Sequence, residues 1–409
     1  MLIVLVVLTL SVIAGFNRLI DPYGFFGDPV IEGVNAHKFR FTALEPETKL
    51  RAFSRQRPSA IVLGTSRAAL GIPMQSAQWG NQPVYNLAYA GAGSRSLASI
   101  ARYAFRQPDL KTAVLMLDFF SFNADYSANN TEDARYQSIQ DLLPGSGNDL
   151  RDAHLLLPTL LSMQAFRDSL FTLQKQSMNR RHLDSRGNWV GPGIGHFQPQ
   201  SILFNDIERE SLDLQYFPPP TRRLALHTNN YSTLDDFRSI ITAAHRHNIH
   251  LVIGVSPRHV RLQALLQAAG ANTLLAEWQQ ALADINQTEA FQAGRPPFPL
   301  IDFSGLSDYT TETIAPANDK TTKLQWFIDP GHYTPELGAI LLQQLLTNTP
   351  DGTLGRALHS ANAHALHQHD MEALSAWLTT HPDIAQIAGR QWQRFLNQAP
   401  AARVESLRQ

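Results

Sequence analysis

The sequence predicts an α/β fold around a mainly parallel five-stranded sheet, carrying a helical and loop insertion and a helical C-terminal tail. Three observations lead there. Short aliphatic or β-branched runs recur at 61–63, 84–87, 113–117, 250–255 and 299–302. Segments with helical spacing of apolar residues, 97–105, 235–247, 260–285 and 334–346, fall between or after them. The first run, Ile61-Val62-Leu63, is bounded by Pro58 and Gly64 and has the continuous apolar character of a strand covered on both faces. Strands alternating with helical patterns build βαβ units and hence a parallel sheet.

The remaining segments follow from composition and from breaks in this rhythm. At 409 residues, the chain suits one large domain with insertions, or two domains. Apolar residues make up 44% and charged residues 17%, which marks a globular chain. The 34 basic and 35 acidic residues nearly cancel and no basic block stands out, so nothing points to a nucleic-acid partner. There is no Cys, which excludes disulfides, thiolate catalysis and Cys-based metal centres, and suits a bacterial periplasm.

Residues 1–16, MLIVLVVLTLSVIAGF, carry no charge, and up to Ile20 only Asn17 and Arg18 interrupt the apolar run. At 1.5 Å per residue a membrane span needs roughly 20 residues. The segment 1–20 therefore reads as an uncleaved anchor with Arg18 snorkelling at one interface. A cleaved signal peptide and a buried core helix remain alternatives, although a signal peptide carries positive charge ahead of its apolar run. Either of the first two readings places the body outside the cytoplasm.

Residues 21–58 are polar, with little periodicity, and read as a lead-in to the α/β domain at 59–350. The rhythm breaks at about 122–234, an insertion or lid with one strong helical segment at 150–175 and loops rich in Gly and Pro. Residues 351–409 read as a helical tail outside the sheet, with Trp377, Ile384 and Phe395 as packing residues.

The chemistry centres on Gly64-Thr65-Ser66-Arg67, where the first strand turns into a helix. The carboxyl edge of an open α/β sheet is where ligands bind. Ser66 there is either a helix cap or a nucleophile steadied by helix N-terminal N–H groups. A serine nucleophile needs a base oriented by a carboxylate. Asp329-Pro330-Gly331-His332 supplies both from one loop, with Pro-Gly as the bend and the helix from Thr334 behind it.

These blocks resemble the SGNH (GDSL-like) hydrolase superfamily across roughly 59–346. Gly64-Thr65-Ser66-Arg67 is similar to its first block, with Thr in place of the usual Asp, and Asp329-x-x-His332 to its last. Asn86-Leu87-Ala88-Tyr89-Ala90-Gly91 is similar to the second block, whose Gly donates a backbone N–H to the oxyanion hole. Gly91 fits that role, with Gly93 as the alternative. The whole arrangement resembles membrane-anchored bacterial members related to the alginate O-acetyltransferase group.

The resemblance implies a three-layer α/β/α sandwich, flavodoxin-like and of SGNH type. It also implies a Ser66–His332–Asp329 triad that works without cofactor or metal on acyl, foremost acetyl, esters of a carbohydrate or cell-envelope polymer. An inner-membrane anchor with the body in the periplasm completes the expectation.

One block departs from the pattern. After the third strand the family has an Asn whose side chain completes the oxyanion hole, whereas this chain reads Leu117-Asp118-Phe119-Phe120-Ser121-Phe122-Asn123. A carboxylate at Asp118 would repel an oxyanion, and Asn123 is the substitute within reach. Loss of one such donor typically costs about 10²–10³ in turnover. A non-catalytic binding or assembly component of an envelope or exopolysaccharide pathway is the alternative function.

Arg67, Arg258 and His259 are candidates for substrate contact, each also readable as structural. His359, His364, His367 and His369 crowd the tail without a carboxylate partner and read as a solvated face. No Walker A, dinucleotide fingerprint or His-Glu-x-x-His is present.

Overall fold

The computed structural model describes residues 1–27, 30–142, 153–193 and 198–398. Its central sheet is made of β1 (Ala60–Leu63), β2 (Val84–Asn86), β3 (Thr112–Leu117), β4 (His250–Val255), β5 (Leu300–Asp302) and β6 (Arg356–Ala357). Their spatial order is β6-β5-β4-β3-β1-β2, and every pairing is parallel except β6 on β5.

Strand alternation divides the apolar residues between two cores. Ile61, Leu63, Ala113, Leu115, Leu251 and Ile253 face one cluster, which the helices Ser94–Phe105, Thr233–Arg246 and Asn272–Gln292 complete. Ala60, Val62, Val114, Met116 and Val252 face the other, under the helices Ser66–Gly71 and Pro335–Thr347. Burying one such aliphatic side chain contributes about 1.5–3 kcal/mol, so both faces favour a fixed register.

That register aligns the strand ends. Leu63 pairs with Leu115, Leu117 with Val255, and Val255 with Asp302. The turns after β1, β3, β4 and β5 therefore share one edge.

Five expectations change. The sheet has six strands, because the segment after residue 350 contributes Arg356–Ala357 to the edge of β5 before its helices begin. Arg356 there bridges Asp302 at 3.0 Å and also pairs with Asp370, which ties the tail to the sheet. The lead-in contributes a helix, Glu45–Gln56, whose Leu50 and Phe53 join the core.

The helical segment of the insertion is two helices, Ala153–Leu161 and Met163–Gln174, because Ser162 Oγ accepts the N–H of Ala165 and starts a new helix. Its expected residues 150–152 lie outside the described ones, as do 399–409 of the tail. The region 260–285 likewise divides, into Val260–Ala268 and Asn272–Gln292.

At the N-terminus, the helix Leu2–Ile20 is long and apolar enough to cross a membrane, and its residues up to Val12 are exposed. In the tail, His367 is buried and its Nδ1 lies 3.1 Å from Gln279 Oε1, so it is not part of a solvated face. Phe395 packs on Phe217 and Trp392.

The helices Ser66–Gly71 and Pro335–Thr347 approach so closely that a Cβ on Gly338 would lie 1.7 Å from the Gly71 carbonyl oxygen. Gly338→Ala must push them apart. Overpacking of this kind costs about 1–3 kcal/mol. The denaturant midpoint of that variant should fall with an unchanged slope, and a midpoint equal to wild type would show that the helices separate freely.

Candidate active site

Ser66 opens the helix Ser66–Gly71, and the residue before it does the capping. Thr65 Oγ1 accepts the N–H of Arg67 at 3.2 Å. The Ser66 hydroxyl is thereby left for another partner. It lies 2.8 Å from His332 Nε2.

Beneath this turn sits Asp118, buried at the end of β3. Its Oδ2 accepts the Thr65 hydroxyl at 2.6 Å and its Oδ1 the Arg67 guanidinium at 3.0 Å. The residues on either side of Ser66 are thus held by one carboxylate. Burial opposes charge on Arg67, but Asp118, with Tyr216 and Asp329 nearby, outweighs it and raises the affinity of Arg67 for its proton. Asp118 does not line the cleft that holds Ser66, and its charge is matched from within the core. The expected repulsion of an oxyanion by this carboxylate is not what the geometry shows.

The base loop is equally constrained. Asp329 Oδ1 accepts the N–H groups of Gly331 and His332, each at 2.9 Å, while its Oδ2 lies 2.7 Å from His332 Nδ1. Burial would push the Asp329 carboxyl up. The neighbouring imidazole and the two backbone donors more than reverse that and hold it below the usual carboxylate range. An ionised carboxylate accepts only, so the Nδ1 proton is assigned to His332 and Nε2 is left to accept from Ser66.

The loop ends are clamped by Ile328 N–H donating to the His332 carbonyl at 2.8 Å and His259 N–H to the Pro330 carbonyl at 3.1 Å. Thr334 caps the following helix through the N–H of Leu337.

Gly91 lines the same cleft with φ +63°, and a Cβ there would meet the Tyr126 hydroxyl at 2.7 Å. Its carbonyl is held by that hydroxyl at 2.8 Å and by Arg135 at 3.2 Å. Among the described residues, no protein group accepts the N–H of Ser66 or of Gly91. Gly93 is excluded from that role, because its N–H donates to Glu132 at 3.0 Å.

The cleft, about 1870 Å³, has an aromatic and cationic wall that the sequence reading missed. Arg40 and Arg180 stack on Phe171, and Arg181 stacks on Trp189. These residues come from the lead-in and the insertion, and no periodicity singles them out. Burial lowers the proton affinity of Arg181, whose Nε finds no partner among the described residues.

Four candidates are corrected. Asn123 does not reach the oxyanion position: its amide donates to the carbonyls of Gln215, Tyr216 and Arg223, and its oxygen accepts from Asp125 and Ala225. Arg67 is buried in its ion pair and makes no cleft surface. Arg258 is buried behind the site, with a Nε that no described residue accepts, and likewise does not line the cleft. His259 is buried, with Nδ1 accepting the N–H of Arg261 and Nε2 donating to the Glu312 carbonyl at 2.8 Å. It supports the base loop.

No protein-family model and no curated protein matches the chain.

Two measurements check this account. Asp118→Asn leaves Arg67 charged without a counter-charge, a change that costs about 3–5 kcal/mol in buried pairs. Urea unfolding should show that loss, and the double variant Asp118→Asn/Arg67→Met should recover most of it.

Burial pushes the His259 imidazole down to about 4, against the Glu312 carbonyl that favours its proton. The unfolded chain then binds the extra proton first. Stability is complete above about pH 6.5 and falls progressively toward pH 4, by up to about 3 kcal/mol. In His259→Gln that slope should flatten, and an unchanged slope would assign it elsewhere.

Proposed function

We propose that the chain is a membrane-anchored, extracytoplasmic serine esterase or O-acyltransferase of the SGNH type, acting on acyl esters of a carbohydrate or cell-envelope polymer. The observation that carries this reading is the Ser66–His332–Asp329 relay, with both hydrogen bonds formed at 2.8 and 2.7 Å. The strand order 2-1-3-4-5, extended by one antiparallel edge strand, supports the flavodoxin-like assignment. The N-terminal helix supports a single anchor in a bacterial inner membrane with the body in the periplasm. The cleft exceeds the roughly 300–1,000 Å³ of a small-molecule pocket, which favours an extended substrate.

In this mechanism Ser66 Oγ attacks the ester carbonyl as His332 Nε2 takes its proton. Asp329 steadies the imidazolium and fixes its tautomer. The backbone N–H groups of Ser66 and Gly91 receive the developing oxyanion. His332 then gives its proton to the departing alcohol, leaving an acyl group on Ser66. Water or a sugar hydroxyl, deprotonated by His332, takes the acyl group and restores the serine. Exclusion of water from the cleft decides between hydrolysis and transfer.

A second reading, a binding or assembly component that keeps the fold without turnover, is favoured by one fact. The side-chain amide nearest the third strand's end, that of Asn123, is fully engaged elsewhere.

A fluorophosphonate probe separates the two readings. The folded wild type should be labelled, labelling should vanish in Ser66→Ala, and His332→Ala should slow it at least about 10²-fold, as expected for loss of a general base. A folded wild type that resists the probe would leave the binding reading.

A further inference from the structure

We propose that the elbow between the helices Ala153–Leu161 and Met163–Gln174 sits in the membrane interface beside the anchor, as a second, monotopic contact with the bilayer. This rests on the proposed anchoring of the helix Leu2–Ile20. That helix is about 28 Å long at 1.5 Å per residue, close to a hydrocarbon thickness of about 30 Å, so its last turns lie at the interface on the body side.

Contacts along the two insertion helices show where the elbow falls relative to that boundary. Leu155 packs with Tyr23 and Phe25, beyond the end of the anchor. Leu160 has moved down it, its carbonyl accepting the Asn17 amide at 2.9 Å. After the turn, the Phe166 ring lies 5.5 Å from that of Phe16, and Asp168 is back at the body, accepting the Tyr23 hydroxyl at 2.9 Å. The chain therefore runs down the anchor, turns at 161–163 and returns. That turn lies beside the last turns of the anchor, between the Asn17 and Phe16 contacts.

The outward side of this elbow carries three exposed apolar side chains beside Gln164. Leu157 is 58% exposed, Leu161 38% and Met163 63%. They stand on the two helices that pack against the anchor. Such a patch in water is unfavourable by roughly 25 cal/mol per Å². A bilayer is the partner that fits, since the patch adjoins a segment that would itself be in lipid. Arg167, exposed on the returning helix, stands where a basic side chain meets headgroup phosphates.

The absence of Cys makes the test direct, because one introduced thiol gives one label. Spin labels are placed on Leu157→Cys and Met163→Cys at the elbow, Leu5→Cys in the anchor and Gln368→Cys on the exposed tail helix. The full-length protein is reconstituted in phosphatidylethanolamine/phosphatidylglycerol vesicles, and the collision rates of each label with oxygen and with a soluble nickel chelate are compared.

Oxygen should dominate at 5, 157 and 163, and the ratio should invert at 368. Nickel access at 157 and 163 with lipid at 5 would overturn the elbow contact and leave the anchor standing. Shielding of 157 and 163 from both reagents would mean that protein covers the patch, which also overturns it. Nickel access at 5 would remove the anchor and the elbow contact together, whereas the probe chemistry at Ser66 is indifferent to all three results.

Discussion

The ion pair between Arg67 and Asp118 underlies the whole site. Asp118 sits at the end of β3, in register with the turn after β1, and its two oxygens hold Thr65 and Arg67 on either side of Ser66. The same guanidinium reaches beneath the other half of the site, because a Cβ on Gly331 would lie 3.0 Å from it. A single buried cation thus lies beneath both the turn that carries Ser66 and the loop that carries His332. A buried pair contributes little net stability compared with apolar packing, and its value here is positional. It holds two sequence-distant segments to within a hydrogen bond of each other.

What was legible in the sequence is what is encoded locally. The strand at 250–255 has the predicted limits, and Asp329-x-x-His332 could be read because orienter and base leave one short loop. The Gly91 turn could be read because a positive φ demands that residue type. The misreadings share a different cause. Asn123 is spent on carbonyls about a hundred residues away, and His259 on Glu312. Asp118 looked like an obstacle because its counter-charge is 51 residues earlier in the chain. A polar residue at a strand end states its chemistry in the sequence but not the direction in which it points. The edge strand β6 escaped notice for a simpler reason, since two residues carry no periodicity.

The insertion and the lead-in do more than connect. Glu45 accepts the Trp189 indole N–H at 2.6 Å and the Ala90 N–H at 3.2 Å, joining the lead-in helix, the insertion and the Gly91 loop. Arg40 pairs with Asp168 at 3.0 Å and stacks on Phe171, so the cleft wall continues directly into the helix that returns from the elbow. The site and the helices packed on the N-terminal helix are thus built from one continuous set of contacts.

Ser66 and His332 are 266 residues apart in the chain. At synthesis rates of roughly 5–20 residues per second, Ser66 is made about 13–50 s before His332. A polypeptide interrupted anywhere in that interval carries the Ser66 hydroxyl without its His332 partner. The Ser66–His332 hydrogen bond therefore belongs only to chains extended through residue 332, and a product stalled before that point has half of the pair.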